Sequence, residues 1–256
     1  MKQEPEPGVP SLTEVPSLTE EPIRTAEPAK RTGLQLAGFI PFVAIGILHL
    51  AGLISDQTWL STATKPLILL SLAFALVWTV PSPSSRTLSR PVVMALVGLG
   101  LGWVGDIALM VEGQTWFLVG LGTFLLAHVA YVVLFVRYFG HGRVRAAALV
   151  YLLWFAGLMA LLWPHLGGML VPVLLYGVVI GAMAVAATRC GPTVAIGAAL
   201  FLLSDSLLAV NRFVPDAGLW QPDVLIMLSY IAGQGLIVLG VARAAVATAQ
   251  RPGSRR

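Results

Sequence analysis

Two aspartates sit inside otherwise apolar stretches of this chain: Asp106 in "GWVGDIALM" (102 to 110) and Asp205 in "GAALFLLSDSLLAVNRF" (197 to 213). A carboxylate near the middle of an apolar span costs roughly 2.5 to 3.5 kcal/mol on insertion scales, so it is kept where it faces a bundle interior or a water-filled cavity and acts there. Two carboxyls held together in a low-dielectric site do not both ionise readily, which leaves one protonated acid beside one charged base. That pair can run general acid–base chemistry with no metal and no cofactor. The surroundings of the two acids also match. "GDIAL" (105 to 109) and "SDSLL" (204 to 208) share a small residue, Asp, two spacers and Leu, 99 positions apart, and at the same offset Tyr131 matches Tyr230. The correspondence suggests two parallel four-helix repeats that meet at a shared site.

Further polar side chains fall near the acids. His128 and Tyr131 are spaced i, i+3, and Tyr230 and Gln234 i, i+4, so each pair shares a helix face. Lys65 stands at the mouth of an apolar span just before Pro66, and Ser204, Asn211 and Arg212 accompany Asp205. Together they are expected to line a polar cavity beside Asp106 and Asp205. Taken singly, each also has a structural role open to it, as an interhelical hydrogen bonder or a side chain snorkelling to headgroups. His49 is read as structural. A metal site from His49, His128, Asp106 and Asp205 lacks tight ligand spacing, so none is expected. The single cysteine, Cys190, excludes an intrachain disulfide and reads as a small packing residue. With no G-x-S-x-G elbow, hydrolysis by a serine or cysteine nucleophile is not expected either.

The elements that must position these residues are helices. The chain is 57% hydrophobic and 11% charged, with a mean hydropathy of +0.85, against about 45–50% apolar and about 25% charged in soluble domains. Long unbroken apolar runs select membrane helices over a barrel, so the fold class is all-α and polytopic. Eight spans are predicted, at roughly 34 to 54, 64 to 80, 91 to 111, 115 to 139, 145 to 163, 169 to 188, 193 to 211 and 221 to 243. Gly98, Gly102 and Asp106 follow one another at i, i+4, i+8, and Gly197 sits eight before Asp205, so each acid lies on a small-residue stripe suited to close packing. Residues 1 to 33, which repeat "VPSLTE" in tandem and hold half of the 12 acidic residues, read as a disordered tail; 34 to 243 form the transmembrane domain and 244 to 256 a short basic tail.

Of the 16 Lys and Arg residues, only Lys65 and Arg212 fall on the side opposite the N-terminus. The asymmetry puts both termini in the cytoplasm and both acids in the outer half of the membrane. Trp59, Trp116, Trp163 and Trp220 mark the outer interface. The net charge of +4 is a topological signal and an attraction to anionic membrane lipids, with no patterned basic and aromatic surface for nucleic acid.

The stretches "TKPLILL" (64 to 70), "GWVGDIALM", "LAHVAYVVLF" (126 to 135), "GAALFLLSDSLLAVNRF" and "SYIAGQGLI" (229 to 237), in that order, resemble the motifs of the YhhN-like lysoplasmalogenase family. The resemblance covers 34 to 243. It implies an eight-span enzyme, in the cell membrane, that hydrolyses the vinyl-ether bond of a lysophospholipid substrate, a lysoplasmalogen, to a fatty aldehyde and glycerophosphoethanolamine or glycerophosphocholine. Such a bond is cleaved by protonating its β-carbon, adding water to the oxocarbenium ion and collapsing the hemiacetal, which suits a protonated and an ionised aspartate. Asp106 and Asp205 would be catalytic, Lys65 or Arg212 would hold the phosphate, and His128, Tyr131, Tyr230 and Gln234 would position water or glycerol hydroxyls. Two other functions use paired intramembrane acids: a proton-coupled transporter, and an aspartyl protease, whose G-x-G-D signature is broken here by Trp103.

Overall fold

The computed structural model describes residues 36–80, 88–140, 144 and 148–249. The chain divides between Arg31 and Thr32, and everything described belongs to the second unit. The "VPSLTE" tail, the loop at 81–87, most of the "GHGR" turn and the last residues, 250–256, lie outside the described residues.

Eight α-helices lie wholly among the described residues: α1 Ile40–Ile54, α2 Thr58–Thr79, α3 Arg90–Leu109, α4 Gln114–Leu134, α5 Ala148–Leu166, α6 Leu170–Ala187, α7 Pro192–Phe213 and α8 Pro222–Ala249. Strands are absent from the described residues. Six stretches are long and apolar enough to cross a bilayer, one of them Leu149–Ala187, which holds both α5 and α6; α1 is apolar but shorter. The chain is an integral membrane protein, all-helical as its composition requires.

Local chemistry sets the helix boundaries. Pro192 and Pro222 stand first in α7 and α8, where proline's missing N–H would be unpaired anyway. Gly113 and Gly191, at φ +113° and +102°, turn the chain into α4 and α7 through a conformation that costs other residues energy. A 3-10 turn at Gly167–Met169, with Gly167 at φ +48°, breaks the longest apolar run so that α5 and α6 fold against each other. α4 ends in a π turn, Phe135–Phe139.

One boundary differs from the sequence expectation in a way that matters for function. α2 begins at Thr58, not near Thr64; the Ser61 hydroxyl donates to the Thr58 carbonyl at 3.0 Å and the Thr64 hydroxyl to the Leu60 carbonyl at 2.7 Å. A polar turn that looks like a loop thereby satisfies itself within a helix. Lys65 consequently lies about two turns inside α2 and not at its mouth.

α8 is central, packing against α1, α2, α3 and α7. α7 and α8 approach most closely, followed by α3 and α4. A Cβ on Gly197 would stand 2.8 Å from the Gly233 carbonyl oxygen and 2.8 Å from the Ile237 nitrogen, so α7 and α8 touch backbone to backbone. In the α3–α4 pair, glycine instead receives an aromatic ring: a Cβ on Gly98 would meet Tyr131 at 2.9 Å, and one on Gly105 would meet Phe124 at 2.6 Å. Gly98, Gly102 and Asp106 are all buried on α3, so the predicted small-residue stripe is the packing face.

Backbone cannot move aside as a flexible side chain can. Gly197→Ala is therefore expected to destabilise the bundle by roughly 1–3 kcal/mol, seen as a lower midpoint of thermal unfolding in detergent micelles. Gly100→Ala, whose Cβ would meet nothing within 4 Å, is expected to leave the midpoint unchanged or slightly raised.

Candidate functional site

A cavity of about 700 Å³ opens among seven of the eight helices, α5 being the exception. Its walls come from the C-terminal parts of α1, α3 and α7 and the N-terminal parts of α2, α4, α6 and α8. All of these parts lie at the end of the bundle that carries the short connections at 55–57, 110–113 and 214–221. Trp59, Trp116, Trp163 and Trp220, all exposed, also mark that end.

Both aspartates line this cavity. Asp106, only 4% exposed, accepts a hydrogen bond from the Tyr230 hydroxyl of α8 at 2.8 Å. Asp205, whose side chain is 14% exposed, accepts one from the Tyr176 hydroxyl of α6. Each carboxylate thus keeps one oxygen engaged by a phenol. Lys65, Ser204, Asn211, Arg212 and Tyr230, all named from sequence, share the cavity wall. Ser204 is turned aside, its hydroxyl donating to the Ile226 carbonyl at 2.9 Å.

His128, Tyr131 and Gln234 are fully buried and do not reach the cavity wall. Tyr131 donates to Gln234 Oε1 at 2.9 Å, joining α4 to α8 deeper in the bundle. Tyr131 and Tyr230 therefore differ in role despite their matching offset, because the phenol that reaches the second acid comes from α6 and not from α4. His128 Nε2 lies 3.9 Å from Asp205 Oδ2, too far for a direct hydrogen bond. Its ring packs against Phe201 at 4.8 Å and Tyr176 at 5.3 Å between centroids. With Phe124 and Tyr230, which stand 6.1 Å apart, these rings form an aromatic floor. Below it Tyr131 stacks on Phe135 at 5.9 Å.

His49, expected to be structural, has two roles. Its Nδ1–H donates to Thr64 Oγ1 at 2.9 Å, since the Thr64 proton is committed to the Leu60 carbonyl, and this ties α1 to α2. It also lines the cavity near Lys65. Trp103 ties α3 to α2 by donating to the Pro66 carbonyl at 2.9 Å. Arg212, in the last turn of α7, holds its guanidinium 4.0 Å from the centre of the Phe117 ring.

Sequence reasoning missed Tyr176, a lone tyrosine in the apolar run "LLYGVV", as well as Phe117 and Asp223 on the wall. The signal available for Tyr176 was the rule that a buried phenol needs a partner. Cys190, between α6 and α7, is half-buried, which pushes its thiol up to about 11 in spite of the neighbouring Arg189, in keeping with a packing role.

Residues 60–241 match the family model of the YhhN family. The chain belongs to the YhhN family. Among curated proteins, lysoplasmalogenases of Mycobacterium bovis and Mycobacterium tuberculosis are each 37% identical to it over 150 residues, 55% of this chain and 57% of theirs. The chain thus spans little more than half the length of the curated relatives it matches. No solved structure matches it. The matched region of this YhhN-family chain contains every residue of the cavity wall except His49 and Leu53, which α1 contributes.

The Tyr230–Asp106 contact can be isolated thermodynamically. In a double-mutant cycle of Tyr230→Phe with Asp106→Asn, unfolding in micelles is expected to give a coupling of about 1–3 kcal/mol, as for a buried hydrogen bond to a charged group. The same cycle using Tyr131→Phe, which lacks that contact, is expected to give a coupling near zero.

Proposed function

We propose that this chain is a lysoplasmalogenase-type hydrolase that cleaves the vinyl-ether bond of a lysophospholipid, releasing a fatty aldehyde and glycerophosphoethanolamine or glycerophosphocholine. The observation that carries the reading is the convergence of Asp106 and Asp205, on separate helices, onto one cavity that also presents Lys65 and Arg212. The curated names of the mycobacterial relatives support it.

In this reading one aspartic acid gives its proton to the β-carbon of the vinyl ether, and the electron pair of the double bond forms the new C–H bond. The adjoining carbon becomes an oxocarbenium ion, stabilised by the other aspartate, which is ionised. Water adds to that carbon and loses a proton to the carboxylate. The hemiacetal then collapses: the aspartic acid formed when water added gives its proton to the glycerol oxygen as the C–O bond breaks, and the hemiacetal hydroxyl returns its proton to the first carboxylate as the aldehyde C=O forms. Tyr230 and Tyr176 hold one oxygen of each carboxylate and so fix where the other oxygen points. Lys65 and Arg212 would bind the substrate phosphate, Arg212 through its planar fork. His128, Tyr131, Ser204, Asn211 and Gln234 support the site, His128, Tyr131 and Gln234 from behind the wall. The aromatic floor below the acids favours hydrolysis over transport, since alternating access requires a polar route to the opposite face.

The same reading places the cavity on the outer side of the plasma membrane. Among the described residues Arg90, Arg137, Arg189 and Arg243 all lie toward the other end of the bundle, as they would if both termini were cytoplasmic. Residues 1 to 33 would be a cytoplasmic tail, 34 to 243 the membrane domain and 244 to 256 a basic tail.

Purified protein given a lysoplasmalogen is expected to release aldehyde, while a saturated-ether lysolipid yields none. Asp106→Asn and Asp205→Asn should each lower the rate by about 100-fold or more with the fold intact. Absence of aldehyde from folded wild type, or full activity in both variants, would sink the hydrolase. Substrate counterflow in liposomes would point to transport instead. For the orientation, in a Cys190→Ser background, Asp216→Cys is expected to react with a membrane-impermeant maleimide on intact cells. Labelling only after the cells are opened would reverse the topology.

A further inference from the structure

A second, narrower space of about 40 Å³ lies between α5, α6 and α7. It shares Val173, Tyr176, Asp205 and Ala209 with the main cavity, so these four side chains form a partition between the two. The two spaces differ sharply in chemistry. The main cavity presents Lys65, Arg212 and both acids, whereas the narrow slot is otherwise walled by side chains such as Trp154, Phe155, Met159, Ile180 and Leu202. Two of its polar groups are engaged within the protein: Trp154 Nε1–H donates to Ser206 Oγ at 3.1 Å, and Ser206 donates to the Leu202 carbonyl at 2.7 Å; Tyr151 adds a phenol to the wall. Trp154 is also 42% exposed on the outer flank of α5, so the slot reaches the lipid-facing side of the bundle.

We propose that this slot receives the hydrocarbon chain of the substrate, so that a lysolipid lies with its phosphate in the main cavity, its chain between α5 and α6, and its ether linkage at Asp205. The inference rests on the hydrolase reading above and adds to it the site that selects the chain. A single-chain amphiphile is the occupant that fits two adjoining spaces of opposite polarity meeting at one carboxylate. Met159, unbranched and polarizable, gives a wall that can yield as the chain enters.

Two glycines of α6 line the slot and are not equivalent. A Cβ on Gly177 would strike the Phe155 ring at 2.6 Å, whereas one on Gly181 would meet nothing within 4 Å. The first atom of a side chain at Gly181 therefore enters open space, so Gly181→Leu narrows the slot from a position where its Cβ displaces nothing.

The test compares vinyl-ether lysolipids of one headgroup with chains from about eight to about eighteen carbons, each methylene kept out of an apolar site costing roughly fourfold in kcat/KM. Gly181→Leu is expected to lower the ratio of long-chain to short-chain kcat/KM by about tenfold or more. An unchanged ratio in a protein that unfolds at the wild-type temperature overturns the slot while leaving the hydrolase standing. A saturated-ether lysolipid carrying a diazirine at the chain end decides the matter independently of turnover. Photolabelling of peptides from α5 and α6, lost in Gly181→Leu, is the expected result, and labelling confined to α1, α2 and α8 overturns the proposal. If folded wild type releases no aldehyde from any vinyl ether, the hydrolase reading fails, and the photolabel still reports whether a chain occupies the slot.

Discussion

A carboxylate inside a membrane needs a hydrogen-bond donor that neither lipid nor its own helix supplies, and the Tyr230 hydroxyl is that donor for Asp106. The contact crosses from α8 to α3, and the position of α8 depends in turn on its backbone contact with α7 at Gly197 and Gly233. α7 carries Asp205, so the packing that brings Tyr230 to one acid also sets where the other acid stands. Tyr176 completes the arrangement from α6. Four helices are thus held in register by two phenols and a pair of glycines.

Consequences follow for the two ends of the bundle. Toward the connections at 55–57, 110–113 and 214–221 the helices diverge around a polar space, and α2 lends it a lysine from within a helical turn that a purely apolar criterion leaves out. Beneath the acids, Phe124, Phe201, His128 and Tyr230 close the bundle with ring contacts. The site therefore opens toward one membrane surface and is backed by packed aromatic side chains on the other.

Much of this was legible in the sequence, for identifiable physical reasons. Apolar runs broken by glycine and proline give the helices, because a membrane span must satisfy its backbone within itself. The rarity of acids in such runs singles out Asp106 and Asp205, and the stripe Gly98, Gly102, Asp106 gives the direction in which the first one faces. What stayed hidden was set by tertiary contact. Lys65 stands two turns into α2 because "TWLSTAT" is helical, its Ser61 and Thr64 hydroxyls satisfied on the helix's own carbonyls, which no hydropathy window registers. Tyr131 and Tyr230 have matching offsets and unlike partners, since the phenol that reaches Asp205 arrives from α6. His128 shares a helix face with Tyr131, yet a shared face does not reveal whether it borders a cavity or a ring cluster.

Arg212 is held in an uncommon way. Among the described residues no carboxylate lies within ion-pair distance of it; its guanidinium rests on the face of Phe117 at the end of α7. An aromatic face steadies the cation without being a hydrogen-bond acceptor for its N–H groups in the way that a carboxylate would be. An incoming anion thus has no internal ion pair to displace, and the helix C-terminus, with its partial negative charge, helps keep the guanidinium in place between ligands. Arg212 is thereby left at the rim of the cavity with its charge steadied by an aromatic face and by a helix end, and by no acid of the described residues.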